Sequence, residues 1–225
     1  MSLPYQRALL FTPSTPITIA KRFEILTTDF LIAIDGGLDC CRKLGLTPHL
    51  LIGDMDSLDK PDEVNTAIYA QTVVVRYPHE KNETDTQLAV QYCLEHKLRR
   101  IIIFNDLQGR CDHALALMQN LQEANRQGCQ AEVWSENQRA FILNKRNVLQ
   151  YPAGSLLSII PLTSTLSLKR SSGLKWALDN LRLCQWQSRA ISNELLSETA
   201  EIVVAGGIGL AIVTCPVVPD HNCID

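Results

Sequence analysis

Carboxylates recur through the first half of the chain, each just after a run of apolar residues. Asp35-Gly36-Gly37 follows Phe30-Leu31-Ile32-Ala33-Ile34, and Gly53-Asp54-Met55-Asp56-Ser57 follows Leu50-Leu51-Ile52. Thr84-Asp85 comes a loop after Val73-Val74-Val75, and Gly109-Arg110-Cys111-Asp112 follows Ile101-Ile102-Ile103-Phe104. If the apolar runs are strands of one open α/β sheet, the loops at their carboxyl ends line one crevice, where ligands bind. Asp35, Asp54, Asp56, Asp85 and Asp112 would then converge. Ionised carboxylates a few ångströms apart raise each other's pKa, and a divalent metal resolves the conflict. Mg2+ takes oxygen ligands, commonly one or two carboxylates with waters and substrate phosphates. Asp54 and Asp56, alternate residues on a turn, suit that work. Gly36, Gly37, Gly53 and Gly109 let backbone N–H groups approach phosphate oxygens. Lys81 and Arg110 supply charge for the phosphates that the metal does not reach. The chemistry is the handling of a nucleoside triphosphate with metal. Singly, each residue has a plainer reading: Asp85 and Asp112 stand where helices begin and would serve as caps, and Arg110 as a surface ion pair. Four successive loops that all carry carboxylates favour one shared site.

The elements that must position these residues follow from patterning. The apolar runs above, with Leu9-Leu10-Phe11, read as buried strands. Between them, Leu88, Ala89, Tyr92 and Cys93 share a face of a helix over Thr84 to Lys97, and Thr84 followed by Gln87 is a capping-box start. A second helix is expected over Asp112 to Gln127, with Asp112 as N-cap and Gly128 as its stop. Strand–helix alternation implies a mostly parallel sheet flanked by helices. From Phe141 the pattern changes to short β-prone segments: Val148-Leu149, Leu156 to Ile160, Leu166 to Leu168, Leu181 to Leu183 and Ile202 to Val204. Turn residues punctuate them, and Gly206-Gly207-Ile208-Gly209 reads as a hairpin turn. The expected fold class is α/β over residues 1–140, followed by a smaller antiparallel β-sandwich or barrel over residues 141–225.

Composition narrows the function. The 225 residues are 46% hydrophobic and 20% charged, as in globular proteins, so disorder and fibrous repeats are excluded. A net charge of −3 argues against a nucleic-acid partner or an anionic membrane surface. No apolar run approaches bilayer-spanning length, and the first residues show no signal-peptide pattern. A cytoplasmic location is expected. Cys40 and Cys41 are adjacent, and Cys93, Cys111, Cys129, Cys184, Cys215 and Cys223 are scattered, without the spacing of a zinc site. Most are expected to be small buried hydrophobes. P-loop, dinucleotide-binding, nucleophile-elbow and zinc-protease motifs are all absent.

Taken in order, Asp35-Gly36-Gly37, Gly53-Asp54-Met55-Asp56-Ser57, Glu80-Lys81-Asn82-Glu83-Thr84-Asp85 and Gly109-Arg110-Cys111-Asp112-His113 resemble the thiamine pyrophosphokinase family. Ser171-Ser172-Gly173-Leu174-Lys175-Trp176-Ala177-Leu178 and Ile191-Ser192-Asn193-Glu194 resemble that family's two C-terminal motifs. The likeness spans about residues 30–195. It implies transfer of the pyrophosphoryl group of ATP to the hydroxyl of thiamine, with Mg2+, giving thiamine diphosphate and AMP. It implies a homodimer with the active site at the interface. By resemblance Asp54, Asp56 and Asp85 hold metal and act in catalysis with Arg110 and Asp112. Asp35, Gly36, Gly37, Lys81, Thr84, Gly109 and Arg110 bind ATP, and Asp112, Trp176, Ser192 and Asn193 bind thiamine. Several positions depart from the family pattern: Asn82 replaces an acid, Gln108 a glycine, His49 an acid and Leu117 an asparagine. Two other readings belong beside this one: a binding homologue that has lost turnover, and a pyrophosphokinase acting on another alcohol such as a pterin.

Overall fold

The structure, a computed structural model, describes residues 4–56 and 70–216. Ser57 and Cys223 lie outside the described residues. The chain divides into two compact units, Met1–Glu136 and Asn137–Asp225.

The first unit runs β1 (Arg7–Phe11), α1 (Ile17–Arg22), β2 (Asp29–Ile34), α2 (Gly37–Lys43), β3 (Leu50–Gly53), β4 (Val73–Arg76), α3 (Asp85–Glu95), β5 (Arg100–Phe104), α4 (Cys111–Arg126) and β6 (Gln130–Trp134). Its strands lie in the order β6-β5-β1-β2-β3-β4, with every pairing parallel. The chain winds one way from β1 to β4 and the other way from β5 to β6. Right-handed crossovers therefore place α1 and α2 on one face and α3 and α4 on the other. Leu9, Leu10, Ile32, Leu51, Ile102 and Ile103 are wholly buried, as a sheet covered on both faces requires. Val73 to Val75, read as a buried strand, is instead the sheet edge. With one neighbour only, Val73 stays 56% exposed.

Local chemistry sets the helix starts. Thr84 caps α3 as its sequence suggests, its Oγ1 accepting the Gln87 N–H at 3.1 Å. Asp112 does not cap α4. The N-cap is Arg110, without a side-chain bond, and Asp112 lies in the first turn, where a carboxylate meets the positive end of the helix. α1 and α2, under two turns each, are too short to show a sequence period. None of the described helices is long and apolar enough to cross a membrane.

The second unit contains β7 (Gln138–Ile142), β8 (Arg146–Gln150), β9 (Leu156–Pro161), β10 (Thr165–Ser172), β11 (Arg182–Cys184), β12 (Asn193–Glu194), β13 (Thr199–Gly206) and β14 (Gly209–Thr214). Its strands pair antiparallel in two layers, in the orders β12-β9-β14-β7 and β11-β10-β13-β8. Their alternating inward residues, among them Leu149, Leu157, Ile159, Leu166, Leu168, Ile202 and Val213, make one core. Gly206 to Gly209 is not a hairpin, because β13 and β14 belong to different sheets. It is the corner where the chain changes layer, and a Cβ on Gly207 (φ 86°) would fall 2.3 Å from the Thr165 carbonyl oxygen. The described cysteines are free thiols. Cys40, Cys41, Cys93, Cys129 and Cys215 are buried, whereas Cys111 is exposed.

Candidate active site

β2, β3 and the loop after β4 deliver Asp35, Asp54, Lys81 and Asp85 to one edge of the parallel sheet. Asp35 (φ 45°) and Met55 (φ 68°) both adopt left-handed backbone conformations, which curl the chain until the Met55 N–H reaches Asp35 Oδ1 at 3.1 Å. Gly53 makes the room: a Cβ there would sit 1.7 Å from Asp35 Oδ1. Lys81 Nζ lies 3.4 Å from Asp54 Oδ2 and 2.9 Å from Asp85 Oδ1. The second contact is an ion pair rather than a hydrogen bond, and Asp85 Oδ1, though buried, accepts no hydrogen bond of good geometry. Four groups are thus drawn together, three acids around one ammonium.

Electrostatics follow from that crowding. Burial, with the Asp85 and Asp54 carboxylates added, pushes Asp35 up to about 7 against the bond from Met55. Burial would also raise Asp54, but the Asp56 N–H bond and Lys81 outweigh it and hold the group below its usual value. Lys81 loses to burial and gains more from Asp85 and Asp54, so its pKa is raised. Asp56 is more exposed. Its ligand oxygen, one of Asp54 and the His79 imidazole lie within 4.8 Å of one another. This donor set fits a divalent cation: two carboxylates with a ring nitrogen beside them, and a third acid, Asp85, on the far side of Lys81. His79 is the residue that sequence reasoning missed. Its only signal was its place two residues before Lys81, in the loop that carries the acids.

The remaining expected residues of this unit take other positions. Gly37 packs α2 onto β1, since a Cβ would fall 1.9 Å from the Phe11 carbonyl oxygen, and Gly36 is the N-cap of that short helix. Gly109 (φ 85°) turns the chain into α4 with open space around it. Arg110 grips Asp112 as a fork, Nε to Oδ1 at 3.1 Å and Nη2 to Oδ2 at 2.6 Å, both side chains exposed. Their hydrogen bonds raise the Arg110 pKa and lower that of Asp112. Among the described residues, neither makes an ion pair with the group around Lys81. The crevice between β1 and β5 is bridged by residues the sequence did not single out. Thr12 Oγ1 donates to the Phe104 carbonyl at 2.8 Å, and Asn105 Nδ2 to Thr12 Oγ1 at 3.1 Å.

In the second unit Trp176 is 55% exposed, with Lys175 Nζ 5.1 Å from the ring centroid. Asn193, expected to touch thiamine, is 3% exposed, and its amide is committed to the protein. Its Nδ2 donates to the Trp176 carbonyl at 2.7 Å, and its Oδ1 accepts the Trp176 N–H at 3.1 Å. The side chain is a bracket for the tryptophan backbone. Ser192 (φ 55°) is exposed, its N–H donating to Ser158 Oγ at 3.1 Å.

Comparison with known proteins adds an independent line. Residues 24–133 match the family model of the thiamin pyrophosphokinase catalytic domain, and residues 144–208 that of the thiamin pyrophosphokinase vitamin B1 binding domain. Thiamin pyrophosphokinase 1 of Caenorhabditis elegans is 28% identical over 204 residues, covering 80% of this chain and 78% of that one. Thiamine pyrophosphokinase of Bacillus subtilis is 27% identical over 192 residues, covering 80% and 85%. A crystal structure of the Bacillus subtilis enzyme shares the fold, with a TM-score of 0.81 at 21% identity over 94% of this chain and 99% of that one. Matched by both of its domain models, the chain belongs to the thiamin pyrophosphokinase family.

Proposed function

We propose that this thiamine pyrophosphokinase transfers the pyrophosphoryl group of ATP to thiamine in a Mg2+-dependent reaction, with the unit Met1–Glu136 binding nucleotide and metal. The observation that carries the reading is the meeting of Asp35, Asp54, Lys81 and Asp85 at one sheet edge. Asp54, Asp56 and Asp85 would hold the cation. Bound there, Mg2+ supplies neutralisation of the triphosphate charge. Lys81 keeps Asp54 and Asp85 from repelling one another and orients both. The hydroxyethyl oxygen of thiamine attacks the β-phosphorus, the bond to the α,β-bridging oxygen breaks, and AMP leaves with that oxygen. Asp85 or Asp56 accepts the hydroxyl proton. Arg110, held by Asp112, turns its free N–H groups to the departing phosphate.

Thiamine carries a fixed thiazolium charge, which suits an acidic site and an aromatic face. Trp176, exposed and fixed through its backbone by Asn193, is that face. In this reading the second unit binds thiamine and forms a homodimer, a second copy contributing the tryptophan. The protein works in the cytoplasm.

Incubation with ATP, Mg2+ and thiamine should yield AMP and thiamine diphosphate in equal amounts. ADP as sole nucleotide product would overturn the reaction. Asp54→Asn and Asp56→Asn should each lower kcat by at least about a hundredfold with little change in melting temperature. Near-normal rates in both would remove the site assignment.

A further inference from the structure

Residues 173–181 connect β10 to β11 and carry Trp176 at the surface. Surface connections are ordinarily more mobile than the strands they join. This one is tied down on both sides of the tryptophan. Leu174 and Leu178, 8% and 4% exposed, lie in the core of the second unit, two residues before Trp176 and two after it. The Gly173 carbonyl accepts the Leu196 N–H, and the Lys175 N–H donates to the Glu194 carbonyl, each at 2.9 Å. Gly173 (φ 75°) passes so close to β13 that a Cβ would fall 2.3 Å from the Thr199 carbonyl oxygen.

The far side of the connection has a latch of its own. Ser171 Oγ accepts the Leu178 N–H at 2.8 Å, and Asp179 Oδ1 accepts the Ser171 N–H at 2.6 Å. Burial of the two leucines already ties the chain to the core. The latch adds a fixed backbone path between them, where Trp176 is the one large apolar side chain that faces out. Lys175 Nζ, 2.8 Å from Glu194 Oε2, stands over the indole and steadies the ring as well. Ordering a loop opposes binding, and a loop ordered before its ligand arrives avoids that loss. An exposed tryptophan so held offers a stacking face already in place.

We propose that Ser171 and Asp179 are positioning residues for the acceptor substrate: they hold Trp176 where it meets a planar heteroaromatic ring, without touching that ring themselves. The inference rests on thiamine being the acceptor and deepens that reading.

The test compares the full chain with Ser171→Ala and Asp179→Ala, and with Ser171→Thr and Asp179→Asn, which keep an acceptor oxygen at each position. Amide hydrogen exchange is followed by mass spectrometry over residues 173–180, and kinetics are measured with thiamine and ATP varied in turn. Each alanine variant should exchange about tenfold faster in that segment. Each should raise the KM for thiamine about fivefold, as the loss of one hydrogen bond implies. The KM for ATP and kcat should stay within about twofold of wild type. The conservative variants should match wild type in every measurement. A purely structural latch would lower the melting temperature and leave both KM values unmoved, and that result would overturn the proposal. So would unchanged exchange, faster exchange with an unchanged KM for thiamine, equal rises in both KM values, or no rescue by the conservative variants. In all of these the wild type still turns thiamine over, and the reading of the reaction stands. A wild type that forms no AMP with thiamine removes the acceptor itself, and the inference falls with it.

Discussion

Gly53 shows how one missing side chain sets up the chemistry. Its φ of 142° and the 1.7 Å from a built Cβ to Asp35 Oδ1 mean that any larger residue evicts the Asp35 carboxylate. That carboxylate accepts the Met55 N–H and so shapes the turn that carries Asp54 and Asp56. Gly53→Ala should therefore cost about 1–3 kcal/mol, the usual range for overpacking a filled site. Turnover should fall by more than about tenfold, since a misplaced reacting group loses the benefit of orientation. Urea denaturation and an AMP assay on the same preparation read both effects. A variant as active as wild type would mean that Asp35 and the turn it holds are dispensable. The glycine was visible in the sequence as part of a phosphate-facing turn. The space that it leaves for an acid at the end of the neighbouring strand depends on the β2–β3 register and could not be seen there.

At the level of elements, β3 is tied to β2 by His49 as well as by its backbone. The ring Nδ1 accepts the Leu31 N–H at 2.9 Å, and the His49 N–H donates to the Leu31 carbonyl at 2.8 Å. Burial holds the imidazole pKa below its ordinary value, so the folded state keeps the neutral ring that this bond requires. As pH falls through about 6.5, the unfolded chain takes up the proton first, and stability drops. His49→Gln keeps an acceptor but has no proton to bind. Its urea midpoint should fall less than that of wild type between pH 7 and pH 5, and equal losses in the two proteins would show that His49 contributes nothing. The sequence marked His49 only as a departure from a family pattern. Elements with long periods or continuous apolar runs were legible: β1, β2, β3, β5, α3 and α4. Those set by three-dimensional context were not. β4 reads as a core strand because three valines look alike in a centre or at an edge, and the bond of Asn193 to the Trp176 backbone has no local signal, because its partner is seventeen residues away. The four acids were found because each follows a strand, whereas His79 sits in the loop after β4 with nothing but its nearness to Lys81 to mark it.

For the whole molecule, the proposed nucleotide and thiamine sites draw on different units. The acids and Lys81 belong to Met1–Glu136, and the exposed Trp176 to Asn137–Asp225. Trp186, 76% exposed, and Leu196, 62% exposed, are further apolar side chains at the surface of the second unit. If one copy supplies the carboxylates and another the tryptophan, a twofold dimer has two composite sites, each built from both chains. Asp54→Asn spoils a site from the first side and Trp176→Ala from the second. Each variant alone should be nearly inactive. Unfolded together and refolded as a mixture, half of the dimers pair one variant with the other, and each of these has one intact site of two. Activity should recover to roughly a quarter of wild type, as random pairing of two chains dictates. Sedimentation at the assay concentration must show a dimer for that arithmetic to hold. If the mixture stays as inactive as its components, tryptophan and carboxylates act within a single chain, and the dimer has no part in building the site.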